Sequence, residues 1–143
     1  MCTKHLLLTF PAVLLAAACG SMHQASAIAD VNLQAHSAPF FGSSSTAPLE
    51  FDVTIRNKTT APLAVRSIRI STLNMLEYSV DSGEKLFKET IAPGETKTFP
   101  VTATAVSVSA GTSSNEPLSL RADVDFEGTG GKRFHEVYTF PKV

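Results

Sequence analysis

The segment LSLRADVDFE, residues 118–127, alternates apolar and polar side chains over its whole length. Successive side chains of a β-strand point to opposite faces, so a period of two predicts a strand with one face on a core and the other in water. The glycine-rich GTGG, residues 128–131, supplies the backbone freedom that a tight reversal needs. Phe134, Tyr138 and Phe140 then share one parity, which predicts a hairpin at the end of the chain.

The same period occurs earlier, in LEFDVTIR, residues 49–56. The following segment, NKTTAP, residues 57–62, is rich in side chains that hydrogen-bond their own backbone, so it is predicted to be a turn. In the next strand the apolar parity slips by one residue between Val65 and Ile68. Such a slip would turn half of a strand inside out, and it therefore predicts a β-bulge near Arg66 and Ser67.

Further strands complete an all-β prediction, because no segment shows a convincing helical period. A long strand includes Pro100, which lacks an amide proton and is therefore predicted at an edge or a bulge. The count of about seven or eight strands favours an immunoglobulin-like antiparallel β-sandwich, without the Cys-Trp-Cys core of antibody domains. A small closed β-barrel is the alternative. These further strands are predicted over residues 28–33, 78–80, 86–91 and 99–108.

The start of the chain reads as a targeting segment. Lys4 precedes an apolar run over residues 6–15, which is about half of the roughly 20 residues that a membrane-spanning helix needs. The next residues, LAAACG, residues 15–20, resemble the lipobox of bacterial lipoproteins. This resemblance implies cleavage before Cys19, a diacylglycerol on its sulfur and an acylated amine; Gly20 then favours the outer membrane, with the domain facing the periplasm. The alternative is an ordinary signal cleavage near Ala27, which would give a secreted or periplasmic protein.

These features predict three parts of the chain: a lipoprotein signal peptide over residues 1–18, a flexible tether over 19–29 and a β-sandwich domain over 30–143. Cys2 and Cys19 are the two cysteines, so the folded domain has no thiol for a disulfide or a metal site. Without Lys4, 11 of the 12 basic residues remain against 13 acidic ones, with no basic cluster. This charge pattern argues against nucleic-acid binding.

Part of the domain resembles the late embryogenesis abundant group 2 family, also called the water-stress and hypersensitive-response (WHy) family. The resemblance implies a seven-stranded sandwich and a non-enzymatic stress or binding role, and it implies no catalytic residue. It lies in FDVTIRN at 51–57, PLAV at 62–65, the turn at Gly83, IAPGE at 91–95 and FPV at 99–101.

The remaining polar residues do not predict catalysis. Asp123, Asp125 and Glu127 share one face of a strand, and they are interpreted as a solvent-exposed row because a straight strand splays the ligands that calcium would need. The histidines of the mature chain, His23, His36 and His135, lack metal-ligand spacing. We therefore predict a protein that is not an enzyme and holds no metal and no cofactor.

The predicted function is that of a lipid-anchored, non-enzymatic interaction or structural module. Its partners would be the membrane, reached through the lipid on Cys19, and an envelope protein. The alternative is a carrier of a small apolar molecule or lipid, with a mouth lined by Phe40, Phe41 and Tyr138. Phe40 and Phe41 lie in APFFGSSS, residues 38–45, which predicts either an exposed docking or membrane-facing tip or two rings folded over one end of the sandwich.

Overall fold

The computed structural model describes residues 22–74, 78–107 and 118–141. These residues form antiparallel strands with a single short 3-10 turn, so the predicted all-β class is confirmed. Cys19 and the predicted signal peptide lie outside the described residues. Within the described ranges, no helix is long and apolar enough to cross a membrane. The strands are β1 Met22–Ala25, β2 Ala29–Ala35, β3 Thr46–Asn57, β4 Leu63–Thr72, β5 Tyr78–Asp81, β6 Lys85–Ile91, β7 Thr96–Ser107, β8 Leu120–Glu127 and β9 Arg133–Phe140.

The strands belong to one sheet, in the order β1-β2-β3-β7-β5-β4-β8-β9, with β6 paired to β4 beside this path. The sheet curls so far that its first and last strands lie side by side. The backbone N–H of Thr139 in β9 donates to Oε1 of Gln24 in β1. The fold is therefore a nearly closed, barrel-like sheet with its apolar face turned inward. Of the two predicted architectures, the small barrel describes this continuous path of pairing more closely.

The interior is formed by alternate residues of the long strands, as the period of two predicted. In β8, the side chains of Leu120, Ala122, Val124 and Phe126 are all buried, and the intervening ones are partly exposed. The returning strand β9 places Tyr138 and Phe140 in the same core. Large side chains fill the centre, since the most completely buried ones include Phe51, Phe99, Phe126, Tyr138 and Phe140.

The predicted bulge is confirmed in β4. Its pairing with both β6 and β8 shifts register between Val65 and Ser67, which leaves Arg66 as an extra residue. Arg66 is exposed, while Val65 and Ile68 are both buried. The bulge thus restores the inward orientation of the second half of β4 after the sequence parity slips.

Pro100 lies in a part of β7 that has a ladder partner on one side only, which agrees with the predicted edge position. It is opposite Asp52 in the β3–β7 ladder, while β5 pairs with β7 only over Thr104–Ser107. Among the described strands, the first half of β7 has β3 as its only ladder partner. The missing amide proton of Pro100 therefore removes no bond from a two-sided ladder.

Part of the predicted tether is instead a strand, which corrects the boundary set at residue 30. Met22–Ala25 pairs with β2 from Met22 opposite Leu33 to Ala25 opposite Asp30. Residues 26–28 form a tight turn in which the backbone N–H of Ser26 donates to the carbonyl of Ala29. The segment MHQA has no apolar alternation, and its strand conformation depends on the ladder with β2 and on the contact with β9.

Candidate functional site

The loop between β2 and β3, residues 36–45, holds its two adjacent aromatic rings in different ways. Phe41 is partly buried against the core, and its ring meets that of Tyr78 edge-on at a centroid distance of 5.7 Å. Phe40 is 86% exposed. A hydrogen bond from the N–H of Ser44 to the carbonyl of Phe41 closes the loop. The ring of Phe41 therefore packs over the end of the sheet, as one of the two predicted arrangements requires, while the ring of Phe40 projects from it.

Tyr138 does not join Phe40 and Phe41 at a common mouth. Its side chain is 1% exposed, and its hydroxyl lies 3.0 Å from Oγ of Ser26. Ser26 belongs to the turn before Ala29, which lies at the end of β2 opposite the 36–45 loop. Burial in the core raises the pKa of the Tyr138 hydroxyl, so this group is a neutral structural contact.

The acidic side chains on the outer face of β8, which are those of Asp123, Asp125 and Glu127, are hydrogen-bonded to neighbouring side chains. We call them the acidic row. Glu127 accepts two hydrogen bonds from Arg66, at 2.9 and 3.0 Å, and this guanidinium lowers the pKa of its carboxyl group. Asp125 lies 2.8 Å from Nδ1 of His135 and accepts a bond from Ser67, and both contacts lower its pKa, the one with His135 more strongly.

Asp123 completes the row through a bidentate contact with Arg121. Among the described residues, no group of three or more histidine, cysteine, aspartate or glutamate side chains is arranged to hold a metal ion. The oxygens of the row instead face the guanidinium groups of Arg66 and Arg121, the imidazole of His135 and the hydroxyl of Ser67. The row is therefore a polar outer face that ties β4, β8 and β9 together.

The three histidines each face carboxylates on the outside of the sheet. Nε2 of His36 lies 2.9 Å from Asp52, and the hydrogen bond to Asp52 raises the pKa of this imidazole above its usual value. Glu50 adds a smaller effect in the same direction. The pairing of His36 holds the base of the 36–45 loop against the outer face of β3.

A cleft opens at the other end of the sheet, and it was not predicted from the sequence. Its volume is about 410 Å³. Nζ of Lys58 lies there between Oδ1 of Asp30, at 3.2 Å, and the carbonyl of Ser26, at 2.9 Å. Arg56 supplies a second, exposed cation. The cleft is lined by Asp30, Arg56, Asn57, Lys58, Thr59 and Gly94.

Several polar groups that line this cleft are bonded to one another or to nearby backbone carbonyls. Its hydroxyl group, on Thr59, lies 2.8 Å from each of two acceptors, Oδ1 of Asn57 and the carbonyl of Ala61, and can donate its proton to either. Its carboxylate, on Asp30, is engaged by Lys58. Within the described residues, the cleft therefore lacks a nucleophile placed beside a free base.

Asn57 builds the wall of this cleft. Its side chain is completely buried and donates to the carbonyls of Ala61, at 2.8 Å, and Ile91, at 3.0 Å. Its own carbonyl accepts from the N–H of Gly94 at 2.9 Å. One side chain and its backbone thus join the β3–β4 turn to the β6–β7 turn.

An unpaired strand edge lies on the side of the sheet. Among the described strands, β6 pairs with β4 alone, so its second edge faces the half of β7 that contains Pro100. Leu86 of β6 is 77% exposed. Phe87 packs edge-on against Phe99 at a centroid distance of 5.1 Å, which holds β6 over the core. Nζ of Lys97 in β7 also lies 3.6 Å from Glu89 of β6. Leu86 is therefore an exposed apolar side chain on a strand that has a single ladder partner among the described strands.

Comparisons with known proteins show the fold alone. No protein-family model matches the chain, and no curated protein matches it either. Solved structures with a similar fold include the Northeast Structural Genomics Consortium target SoR45, at 12% identity and a TM-score of 0.57, covering 84% of this chain and 89% of that one. A Bordetella pertussis protein described as ApaA has 16% identity and a TM-score of 0.50, covering 79% of this chain and 92% of that one. The yeast GGA1 GAE domain has 10% identity and a TM-score of 0.50, covering 85% and 99%.

Proposed function

We propose that this chain is a lipid-anchored protein of the bacterial envelope whose β-domain is a non-enzymatic interaction module. The observation that carries the anchored form is strand β1. Cleavage before Cys19 retains this strand, which pairs with β2 and contacts β9. The competing cleavage near Ala27 would remove β1 together with Ser26, whose Oγ bonds the Tyr138 hydroxyl. A processing site that discards part of the folded domain is the less favourable of the two.

The second edge of β6, which has no ladder partner among the described strands, supports the interaction role. An extended segment of a partner can add to such an edge through main-chain hydrogen bonds, and side-chain pockets then give specificity. Leu86 would supply an apolar contact for this partner strand, and the flanking Lys85 and Lys88 would discourage unspecific edge-to-edge pairing. The proposed partner is therefore an envelope protein with an extended segment.

The carrier hypothesis has less support. Its predicted mouth needed Phe40, Phe41 and Tyr138 together, and Tyr138 is buried and bonded to Ser26. The described cleft is lined by charged and polar groups, which suit an apolar ligand poorly. We therefore propose the interaction module as the function.

The test uses the full chain in intact source cells, with a photoreactive phenylalanine analogue at Leu86. The matched control carries the same analogue at Val137, which is also exposed but lies on β9, a strand with β8 on one edge and β1 near the other. We expect Leu86 to cross-link to one envelope protein in stoichiometric yield, and Val137 not to. Mass spectrometry of the same purified sample should show Cys19 as the N-terminal residue with its acyl chains.

The two parts of the proposal can fail separately. An unmodified N-terminus near Ala27 would refute the anchor. Equal labelling at Leu86 and Val137, or none at either position, would refute the role of the β6 edge.

A further inference from the structure

Several exposed apolar side chains lie at one end of the sheet. We call it the loop end, defined by the 36–45 loop, Leu73 after β4 and Val106 near the end of β7. These elements lie together because Thr46 pairs with Val106, while β2 ends and β4 ends at the same side of the sheet. Three of the five large apolar side chains that are exposed in the described residues lie here: Phe40, Leu73 and Val106.

The chain enters the domain near this end. Met22 is opposite Leu33, two residues before β2 ends at Ala35. Three residue steps separate Met22 from Cys19, and an extended chain covers at most about 3.6 Å per residue. A lipid on Cys19 therefore holds the start of β1 within about 11 Å of its own attachment point.

The 36–45 loop has the composition of a membrane-contacting tip. From residue 37 to residue 45 it contains no charged side chain. Phe41 holds the loop against Tyr78, and Phe40 projects. The acidic residues at its base, Glu50 and Asp52, are paired with His36. An exposed aromatic ring on an uncharged loop is suited to the interface of a bilayer, where amphipathic segments bury apolar groups.

We infer that the loop end faces the membrane and that Phe40 enters the bilayer interface beside the Cys19 lipid. This inference rests on the proposed lipid anchor and adds an orientation to it. The lipid supplies attachment, and Phe40 fixes which end of the sheet is turned to the bilayer. The β6 edge then lies on the side of the domain, where a partner can reach it.

The experiment uses the acylated full chain in vesicles of phosphatidylethanolamine and phosphatidylglycerol. The protein contains no tryptophan, so Phe40→Trp and the control Leu86→Trp each introduce a single fluorophore at an exposed site. Lipids brominated on their acyl chains quench a nearby indole. We expect the emission of the Phe40→Trp variant to shift to the blue and to fall by roughly half, because interfacial groups are buried about 5–10 Å into the headgroup and acyl boundary. The emission of the Leu86→Trp variant should change little.

The outcomes separate the inference from the anchor on which it rests. If mass spectrometry shows acylated Cys19 and the indole of Phe40→Trp is not quenched, the anchor stands and the membrane contact of Phe40 is refuted. If the indoles of both variants are quenched equally, the proposed orientation is wrong. If Cys19 is not acylated, the anchor fails and the inference fails with it.

Discussion

At the scale of single residues, Asn57 joins two turns that are far apart in the sequence. The sequence marked it as a turn former, and the structure shows that it is fully buried, with Oδ1 accepting from the N–H of Thr59 at 2.8 Å and Nδ2 donating to two carbonyls. Sequence spacing could not show this role, because Ile91 is 34 residues away along the chain. The side chain adds to the two backbone bonds that Asn57 makes with Gly94 and Glu95, and it satisfies carbonyl groups that would otherwise be buried without a donor.

We therefore expect Asn57→Ala to lower the free energy of unfolding by about 2–3 kcal/mol, since it leaves the buried Ile91 carbonyl without this donor. Asn32→Ala is the matched control. Oδ1 of Asn32 is buried and has no hydrogen-bond partner among the described residues, so its removal should cost less than about 1 kcal/mol. Urea denaturation of both variants measures the difference. Equal losses would mean that the turn network adds nothing to stability.

At the scale of strands, the sequence predicted best where a local pattern decides the structure. The period of two located β3 and β8, and the slip in parity located the bulge in β4. The strand β1 was missed because its four residues carry no such pattern and depend on their neighbours. The cleft was missed for a similar reason. Its residues Asp30, Lys58 and Gly94 come from three separate parts of the chain, and only the folded sheet brings them together.

The bulge in β4 gives a prediction about deletions. Without Arg66, Val65 and Ile68 keep their inward parity, and the ladder with β8 becomes regular. Without Arg69, either Ile68 or Ile70 must turn outward. Exposing one buried isoleucine costs about 1.5–3 kcal/mol, so the Arg69 deletion should be less stable than the Arg66 deletion by at least about 1.5 kcal/mol.

Each of the two deletions also removes one exposed arginine–carboxylate pair, that of Arg66 with Glu127 or that of Arg69 with Asp81. The comparison therefore isolates strand parity from the loss of charge. Guanidinium denaturation of both variants measures the difference in unfolding free energy. If the Arg66 deletion is the less stable of the two, the bulge has a role beyond correcting parity.

At the scale of the whole molecule, stability depends on how the curled sheet closes. The first and last strands are joined by side chains rather than by a long backbone ladder: Gln24 bonds the backbone N–H of Thr139, and Ser26 bonds the hydroxyl of Tyr138. Ser26 and Tyr138 are 112 residues apart in the sequence, and their contact is partly buried. Closure of the sheet, and with it the position of β1 beside the proposed anchor, thus rests on a few long-range polar contacts.

A double-mutant cycle of Ser26→Ala and Tyr138→Phe measures this closure. Ser26→Ala also loses the bonds that Oγ accepts from the N–H groups of Ile28 and Ala29, but this loss cancels in the cycle. We expect a coupling energy of about 0.5–1.5 kcal/mol between the two positions, which is the usual net value of one such hydrogen bond. Hydrogen exchange should also become faster in β1 for Tyr138→Phe, while β3 and β8 keep their protection, because the opening is local to the seam. A coupling energy of zero would mean that the bond between Ser26 and Tyr138 adds nothing to closure, which would then rest on the contact of Gln24 with Thr139.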